Sequence, residues 1–317
     1  MKLPSEKTLK ELTKMTTRTT AVSWRQRIWA YSFTLPRWFG LPGAVSSVAL
    51  GGVLAGQPPG IIALACLAGA LMMAFSHAYN SFHDWVSGLD QGSEAERSHP
   101  KPYTSGQNII AQGLISVSES FWVSMAYLFL SALTTMMLAS ITTPWVFLPW
   151  ILVAACAPLY SWGKFTYSCE LVLGLGFGPF AVMFGAAVAP GPEMARAFLA
   201  GIPFGLVFGF MAELVDQYLD ADVNVPKGLR NLGALCWRRG WGLGWMLTLM
   251  ALVTMCVHMA LLGLSILSPF TVFTLPLLPL IAALTPSYEK KQKAGIMAGL
   301  GLVLLYPLAI LVVEVLR

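Results

Sequence analysis

The chain has 317 residues, of which 56% are hydrophobic and only 11% are charged. A soluble domain carries about 25% charged residues, so the composition excludes a water-soluble globular protein and implies one that lives in a membrane. The net charge of +5 does not argue for nucleic-acid binding, because the basic residues are distributed in a way that orients the chain in a bilayer.

Residues 1–27 form a basic, polar arm without the apolar core of a secretory signal. The arm reads either as a basic amphipathic helix lying on an anionic leaflet or as a partly ordered tail. From residue 28 onward the chain is a succession of apolar segments near the roughly 20 residues that a spanning helix needs. Nine are predicted, at 28–56, 61–83, 119–139, 143–160, 169–190, 197–215, 241–265, 269–285 and 294–315. The expected class is therefore an all-α membrane protein with nine transmembrane helices. The five cysteines (Cys66, Cys156, Cys169, Cys236 and Cys256) are scattered, with no C-x-x-C spacing, which argues against a disulfide frame or a zinc site. Segment five contains "LGLGFGPFAVMFG", with Gly174, Gly176, Gly178 and Gly185. It lacks the Lys-Ser/Thr ending of a phosphate loop, and close helix packing through small residues explains it better.

With the N-terminus inside, seventeen of the twenty Lys and Arg fall on one side of the membrane, the exceptions being Arg37, Arg196 and Arg317. The positive-inside rule then places the N-terminus and the loops after segments two, four, six and eight in the cytoplasm. The loops after segments two and six are long, and the opposite connections are short and nearly uncharged, so chemistry is expected on the inner face.

Both long inner loops begin with acidic clusters. Segment two runs into "NSFHDWVSGLD", and segment six into "MAELVDQYLDADVNVPKGLRNL". Asn80 and Asp84 are four residues apart, as are Asp216 and Asp220, and the same separation of 136 residues relates both members of one pair to the other. Residues at i and i+4 share a helix face. The pattern suggests a duplicated four-helix unit, spans two to five and six to nine. Glu213 lies one turn before Asp216, and Asp222 just beyond Asp220. A carboxylate in hydrocarbon costs roughly 3 kcal/mol or more, and closely spaced carboxylates repel unless a cation lies between them. Oxygen ligands without His or Cys favour Mg2+, Mn2+ or Ca2+, so His77 and His83 are set aside as ligands. Arg97, Lys101, Lys164, Lys227 and Arg230 on the same face offer positive charge to an anion. Acid and base around Mg2+ and a phosphate describe a diphosphate site, and in a membrane the matching substrate has an apolar tail.

These residues resemble the UbiA superfamily of intramembrane prenyltransferases. Its first motif, roughly N-D-x-x-D-x-x-x-x-x-D, is matched by Asn80, Asp84 and Asp90, with Ser81 in place of the usual Asp. "RSHPKPYTSGQ" supplies Arg97, Lys101 and Ser105–Gly106, and "APLYSWGKF" supplies Tyr160 and Lys164 of a Tyr-x-x-x-Lys element. Asp216 and Asp220 match the second motif, Asp-x-x-x-Asp. The loop that follows is longer than usual, which leaves the role of Asp222 open. The resemblance implies a basic arm (1–27) and one transmembrane domain (28–317) with nine helices around a central cavity in the cell (inner) membrane, its site near the cytoplasmic face. It implies metal ligands at Asn80, Asp84, Asp90, Asp216 and Asp220, catalytic roles for Asn80, Asp84, Asp216 and Asp220, and substrate contacts from Arg97, Lys101, Tyr160, Lys164, Lys227 and Arg230. The implied cofactor is two Mg2+ ions, for which Mn2+ can substitute. The implied reaction is transfer of a prenyl chain from a polyprenyl diphosphate to an acceptor through an allylic carbocation. The "SGLD" ending leans towards the menaquinone-type dihydroxynaphthoate enzymes, hence towards an aromatic quinone precursor. The alternatives are a glycerol phosphate lipid acceptor and, in a different class, a secondary transporter, whose ionisable residues would stand at mid-membrane on inverted repeats.

The topology has a direct test. In intact cells expressing a cysteine-free background, a cysteine placed at Lys291 is expected to resist an impermeant thiol reagent applied from outside; rapid labelling there reverses the assignment.

Overall fold

The computed structural model describes residues 23–91, 110, 113–187 and 191–317, and among these the regular structure is helical throughout. The first apolar segment is not one helix. Helix α1 (Trp24–Trp29) starts at Ser23, whose hydroxyl and the Gln26 side chain form a reciprocal capping box. A π-helical turn (Ala30–Thr34) follows, then a break at Pro36 and Arg37, where Arg37 adopts a left-handed φ of 52°. A 3-10 turn (Trp38–Gly40) leads into α2 (Leu41–Leu54), of 14 residues. Pro36 supplies no N–H to the helical ladder and restricts the residue before it, which corrects the expectation of a continuous span over 28–56. At 1.5 Å per residue α2 is about 21 Å long, short of the roughly 30 Å of hydrocarbon.

The other eight predicted segments correspond to eight helical runs long and apolar enough to cross a membrane. They are α3 (Pro59–Val86), α4 (Val117–Ile141), a 3-10 turn (Pro144–Val146) with α5 (Phe147–Gly163), and α6 (Cys169–Leu175) with a π turn (Gly176–Phe180) and α7 (Ala181–Ala186). Next come α8 (Pro192–Gly205), a long π turn (Leu206–Ala212) and α9 (Glu213–Leu219) in one run, then two short helices, α10 (Ala221–Asn224) and α11 (Leu232–Arg239). The last spans are α12 (Leu243–Gly263), the 3-10 turn Pro269–Thr274 with α13 (Leu277–Ala283) and α14 (Thr285–Glu289), and α15 (Lys293–Val315). The run that corresponds to the sixth predicted segment ends at Leu219 rather than 215, so Asp216 is helical and Asp220 is its C-cap.

The helices close into one body. The last, α15, packs against α2, while α2 also packs on α3 and α7. Small residues make the closest approaches possible. A Cβ built on Gly174 would stand 2.8 Å from the Gly205 carbonyl oxygen, and one on Gly201 2.6 Å from Pro179 Cα. Gly51 and Gly185 bring α2 and α7 to backbone contact in the same way. The glycines of segment five thus serve helix packing. Between α12 and α15 a buried polar chain takes over: His258 Nδ1 meets the Tyr306 hydroxyl at 2.7 Å and Nε2 meets Thr271 Oγ1 at 2.9 Å.

Replacing Gly205 by Val is expected to force α6 and α8 apart and to cost about 1–3 kcal/mol or more, as overpacking does. Gly60→Ala, where an added Cβ meets nothing within 4 Å, should stay within about 0.5 kcal/mol. Thermal unfolding of the two purified variants in detergent measures the contrast, and equal stability contradicts the packing argument.

Candidate active site

The ends of α3, α5 and α9 meet. On the last two turns of α3, Asn80 and Asp84 share a face, and Asn80 Nδ2 donates to Asp84 Oδ2 at 3.0 Å. Lys164, the residue after α5, places its Nζ 2.7 Å and 2.9 Å from the two Asp84 oxygens and 2.9 Å from Asn80 Oδ1. All three side chains are buried: Asn80 is 8% exposed, Asp84 3% and Lys164 4%. Burial alone would pull the Lys164 ammonium down, but Asp84, and after it Glu213, override burial and hold it above the ordinary lysine range. The Lys164 backbone is held too. Its carbonyl accepts from Arg230 N at 2.7 Å, and Tyr167 N donates to the Arg230 carbonyl at 2.9 Å. The two residues expected to serve metal and diphosphate separately are therefore paired with one another.

The second cluster hangs on α9. Glu213 is buried, and its Oε1 accepts from the Tyr160 hydroxyl and from Gln217 Nε2, each at 2.7 Å. Gln217 also reaches Asp216 Oδ2 at 3.4 Å and accepts from Asn231 Nδ2 at 3.0 Å. Asn231 in turn caps α11 through Ala234 N. Asp216 is half-buried and Asp220 buried. The Lys164 Nζ stands 5.0 Å from the Tyr160 ring centroid, which joins the two clusters through a cation–π contact.

The remaining expected residues are spread around this core. Asp90 is buried, and its N–H donates to the Asp84 carbonyl at 3.1 Å. Lys227 Nζ donates to the carbonyls of Leu89 at 3.2 Å and Gln91 at 2.8 Å, tying the loop after one motif to the loop after the other. The Arg230 side chain is exposed, and Asp222 is exposed with Lys291 at 3.0 Å. Arg97, Lys101, Ser105 and Gly106 lie outside the described residues. Two residues outside the two acidic motifs also enter the site. Arg37 reaches from the broken first segment to Ser81 Oγ at 3.0 Å, the position at which the first motif usually carries Asp. Glu213 was visible only as an acid one turn before Asp216, and its bond to Tyr160 joins residues 53 apart in sequence.

Arg37, His77, Asn80, Tyr160, Glu213 and Asp216 line the polar end of a cavity of about 220 Å3. Its remaining wall is largely apolar and includes Val48, Met72, Met73, Phe177, Phe184, Phe208 and Leu304. Arg37 Nε and His77 Nε2 are buried there with no hydrogen-bond partner among the described residues. The acidic and amide groups at this end offer oxygens to a cation, and Lys164 already occupies a cationic position between Asn80 and Asp84. Among the described residues no three His, Cys, Asp or Glu side chains converge into a metal cage. Carboxylate and amide oxygens suit Mg2+, which usually takes one or two carboxylates per ion and completes its shell with water and substrate phosphate oxygens.

Comparison with known proteins agrees with the architecture. The profile of the UbiA prenyltransferase family matches residues 30–311. UbiA prenyltransferase domain-containing protein 1 of Mus musculus is 25% identical over 192 residues, which cover 58% of this chain and 54% of the mouse protein. The chain thus matches about half the length of that relative. The apo structure of a UbiA homolog from Aeropyrum pernix K1 superposes with a TM-score of 0.67 at 18% identity, covering 87% of this chain and 96% of the other. A UbiA homolog from Archaeoglobus fulgidus bound to DMAPP and Mg2+ gives 0.56 at 18% identity, covering 88% and 98%. A digeranylgeranylglyceryl phosphate synthase gives 0.58 at 13% identity, covering 92% and 99%. At such identities the structures share the fold, and the profile match across nearly the whole chain shows the rest: this protein belongs to the UbiA prenyltransferase family.

Proposed function

We propose that the protein transfers an isoprenyl chain from a polyprenyl diphosphate to a membrane-associated acceptor, with Mg2+ as cofactor. The observation that carries this reading is the polar end of the cavity, where Asn80, Glu213 and Asp216 line an otherwise apolar space and the Asp84–Lys164 pair is hydrogen-bonded to Asn80. The names of the solved relatives, one bound to DMAPP and Mg2+ and another to GPP and Mg2+, support it. A transporter reading is disfavoured because these groups stand at helix ends, beside long charged loops.

In this reading Asn80, Asp84, Asp90, Asp216 and Asp220 hold two Mg2+ ions, and Mn2+ can replace them. Bound there, the ions would supply positive charge to offset the leaving diphosphate. Lys164 contributes a fixed positive charge beside the same carboxylates, and Arg97, Lys101, Lys227 and Arg230 add positive charge around the leaving diphosphate. Tyr160 orders the wall between the clusters. The apolar wall keeps water from the allylic cation. Arg37 and His77 offer donors to a polar group of the acceptor. The acceptor is an aromatic quinone precursor, and a glycerol phosphate lipid is the competing outcome. The site faces the cytoplasm from the inner membrane.

Incubating purified protein with radiolabelled geranylgeranyl diphosphate, Mg2+, and in turn 1,4-dihydroxy-2-naphthoate, 4-hydroxybenzoate and geranylgeranylglyceryl phosphate tests the reaction and its acceptor. Turnover should vanish in EDTA and return with Mg2+ or Mn2+. At saturating Mg2+, Asp84→Asn or Asp220→Asn should lower kcat about 100-fold or more, since metal-assisted charge stabilisation is worth several kcal/mol. Near-normal kcat in both variants contradicts the ligand assignment.

A separate expectation concerns stability. Lys164→Ala strands Asp84 as an uncompensated buried charge, which costs about 3–5 kcal/mol. The double variant Lys164→Ala with Asp84→Asn should recover a large part of that loss. Thermal unfolding without Mg2+ measures it, and additive losses would mean that the pair is not coupled in the folded protein.

A further inference from the structure

Asn80, Asp84 and Asp216 satisfy the donor side of the proposed reaction, but the acceptor must also lose a proton, and those residues are committed to metal. Glu213 is the remaining carboxylate at the cavity. It stands three residues before Asp216, about 4.5 Å further along the helix axis at 1.5 Å per residue. That direction leads away from Asp220, which caps the other end of α9. Glu213 lines the cavity while being only 5% exposed. Its two hydrogen bonds, from Tyr160 and Gln217, both end on Oε1. Among the described residues no donor is placed on Oε2. The carboxylate is therefore clamped by one oxygen, which leaves the other for an acceptor entering the cavity that Glu213 lines. A buried carboxylate in an apolar wall is costly, and the clamp shows that the fold holds it there in one orientation.

We infer that Glu213, through Oε2, is the general base that removes the hydroxyl proton of the acceptor; this rests on the prenyl-transfer reading above. The C1–O bond of the donor breaks and its electron pair leaves with the diphosphate. With an alcohol acceptor, the O–H proton moves to Oε2 while the oxygen's electron pair forms the new bond to C1. With a phenol, the O–H proton moves to Oε2 and the ring carbon's electron pair forms the bond; the ring then regains aromaticity as the proton on that carbon is lost and the oxygen is reprotonated. In both cases one net proton is released, and Glu213 returns to the carboxylate by passing its proton to water. Tyr160 and Gln217 are positioning residues for this step.

The test compares wild type, Glu213→Gln and Gln217→Leu, using geranylgeranyl diphosphate and whichever acceptor of the three-member panel the wild type prenylates. General-base contributions are about 100-fold to 10,000-fold. Glu213→Gln is expected to lower kcat at least 100-fold, while Mn2+ binding followed by electron paramagnetic resonance, and the KM for geranylgeranyl diphosphate, stay within about threefold. Gln217→Leu, which keeps the carboxylate but loosens it, should lower kcat by a smaller factor with the same unchanged binding. Retention of kcat within about threefold in Glu213→Gln overturns the proposal. So does a loss of Mn2+ binding in that variant, which would make Glu213 a metal ligand. If wild type itself turns over no prenyl diphosphate with any acceptor, the failure belongs to the underlying prenyl-transfer reading instead.

Discussion

The ion pair between Lys164 and Asp84 is the contact on which the polar end of this protein depends. Neither charge is stable in the interior alone, and each lies almost wholly out of water. Their pairing forces the ends of α3 and α5 to the same level. Asn80 completes the arrangement by donating to the carboxylate and accepting from the ammonium. Since the Lys164 carbonyl also accepts from Arg230 N, the segment after the second acidic motif is held to the same point. Two regions that are far apart in sequence are thereby registered by one buried charge pair and the backbone bond beside it.

The rest of the bundle accommodates that registration through small residues. Gly174, Gly178, Gly201 and Gly205 let α6 and the π turn after it touch α8 backbone to backbone, and Gly51 and Gly185 do so for α2 and α7. Without a hydrophobic drive between helices in lipid, such close van der Waals contact is what holds them. The cavity survives because its wall is made by larger side chains, among them Met72, Phe177 and Phe208, that belong to helices already pinned elsewhere. A tight frame around an apolar space with one charged end is the geometry that an amphiphilic substrate needs.

Interruptions of helical regularity tune this frame. The break at Arg37 lets its guanidinium turn back to Ser81, which a continuous helix through residue 37 would not. The π turns at Gly176–Phe180 and Leu206–Ala212 each widen the backbone ladder, and π bulges of this kind recur at functional sites. The second lies directly before Glu213, so it sets the rotational phase of the face that carries Glu213 and Asp216.

Composition and periodicity by themselves determined that the chain lives in a membrane, the approximate position of eight spans, and the shared face of Asn80 and Asp84. Those properties are local: they follow from runs of apolar residues and from i, i+4 spacing on one helix. The break in the first segment was encoded in Pro36, yet a surrounding apolar run of spanning length outweighed it as a signal. The contacts that make the site were not legible in this way. Lys164 with Asp84, Tyr160 with Glu213, and Arg37 with Ser81 join residues 80, 53 and 44 positions apart. No sequence spacing specifies such contacts, because they exist only once the helices have packed. The same holds for Glu213, which as a lone acid near a helix end could equally have been solvated. Only tertiary packing buried it, fixed one of its oxygens and turned it to the cavity, because in a low-dielectric interior a carboxylate must take whatever partners the neighbouring helices present.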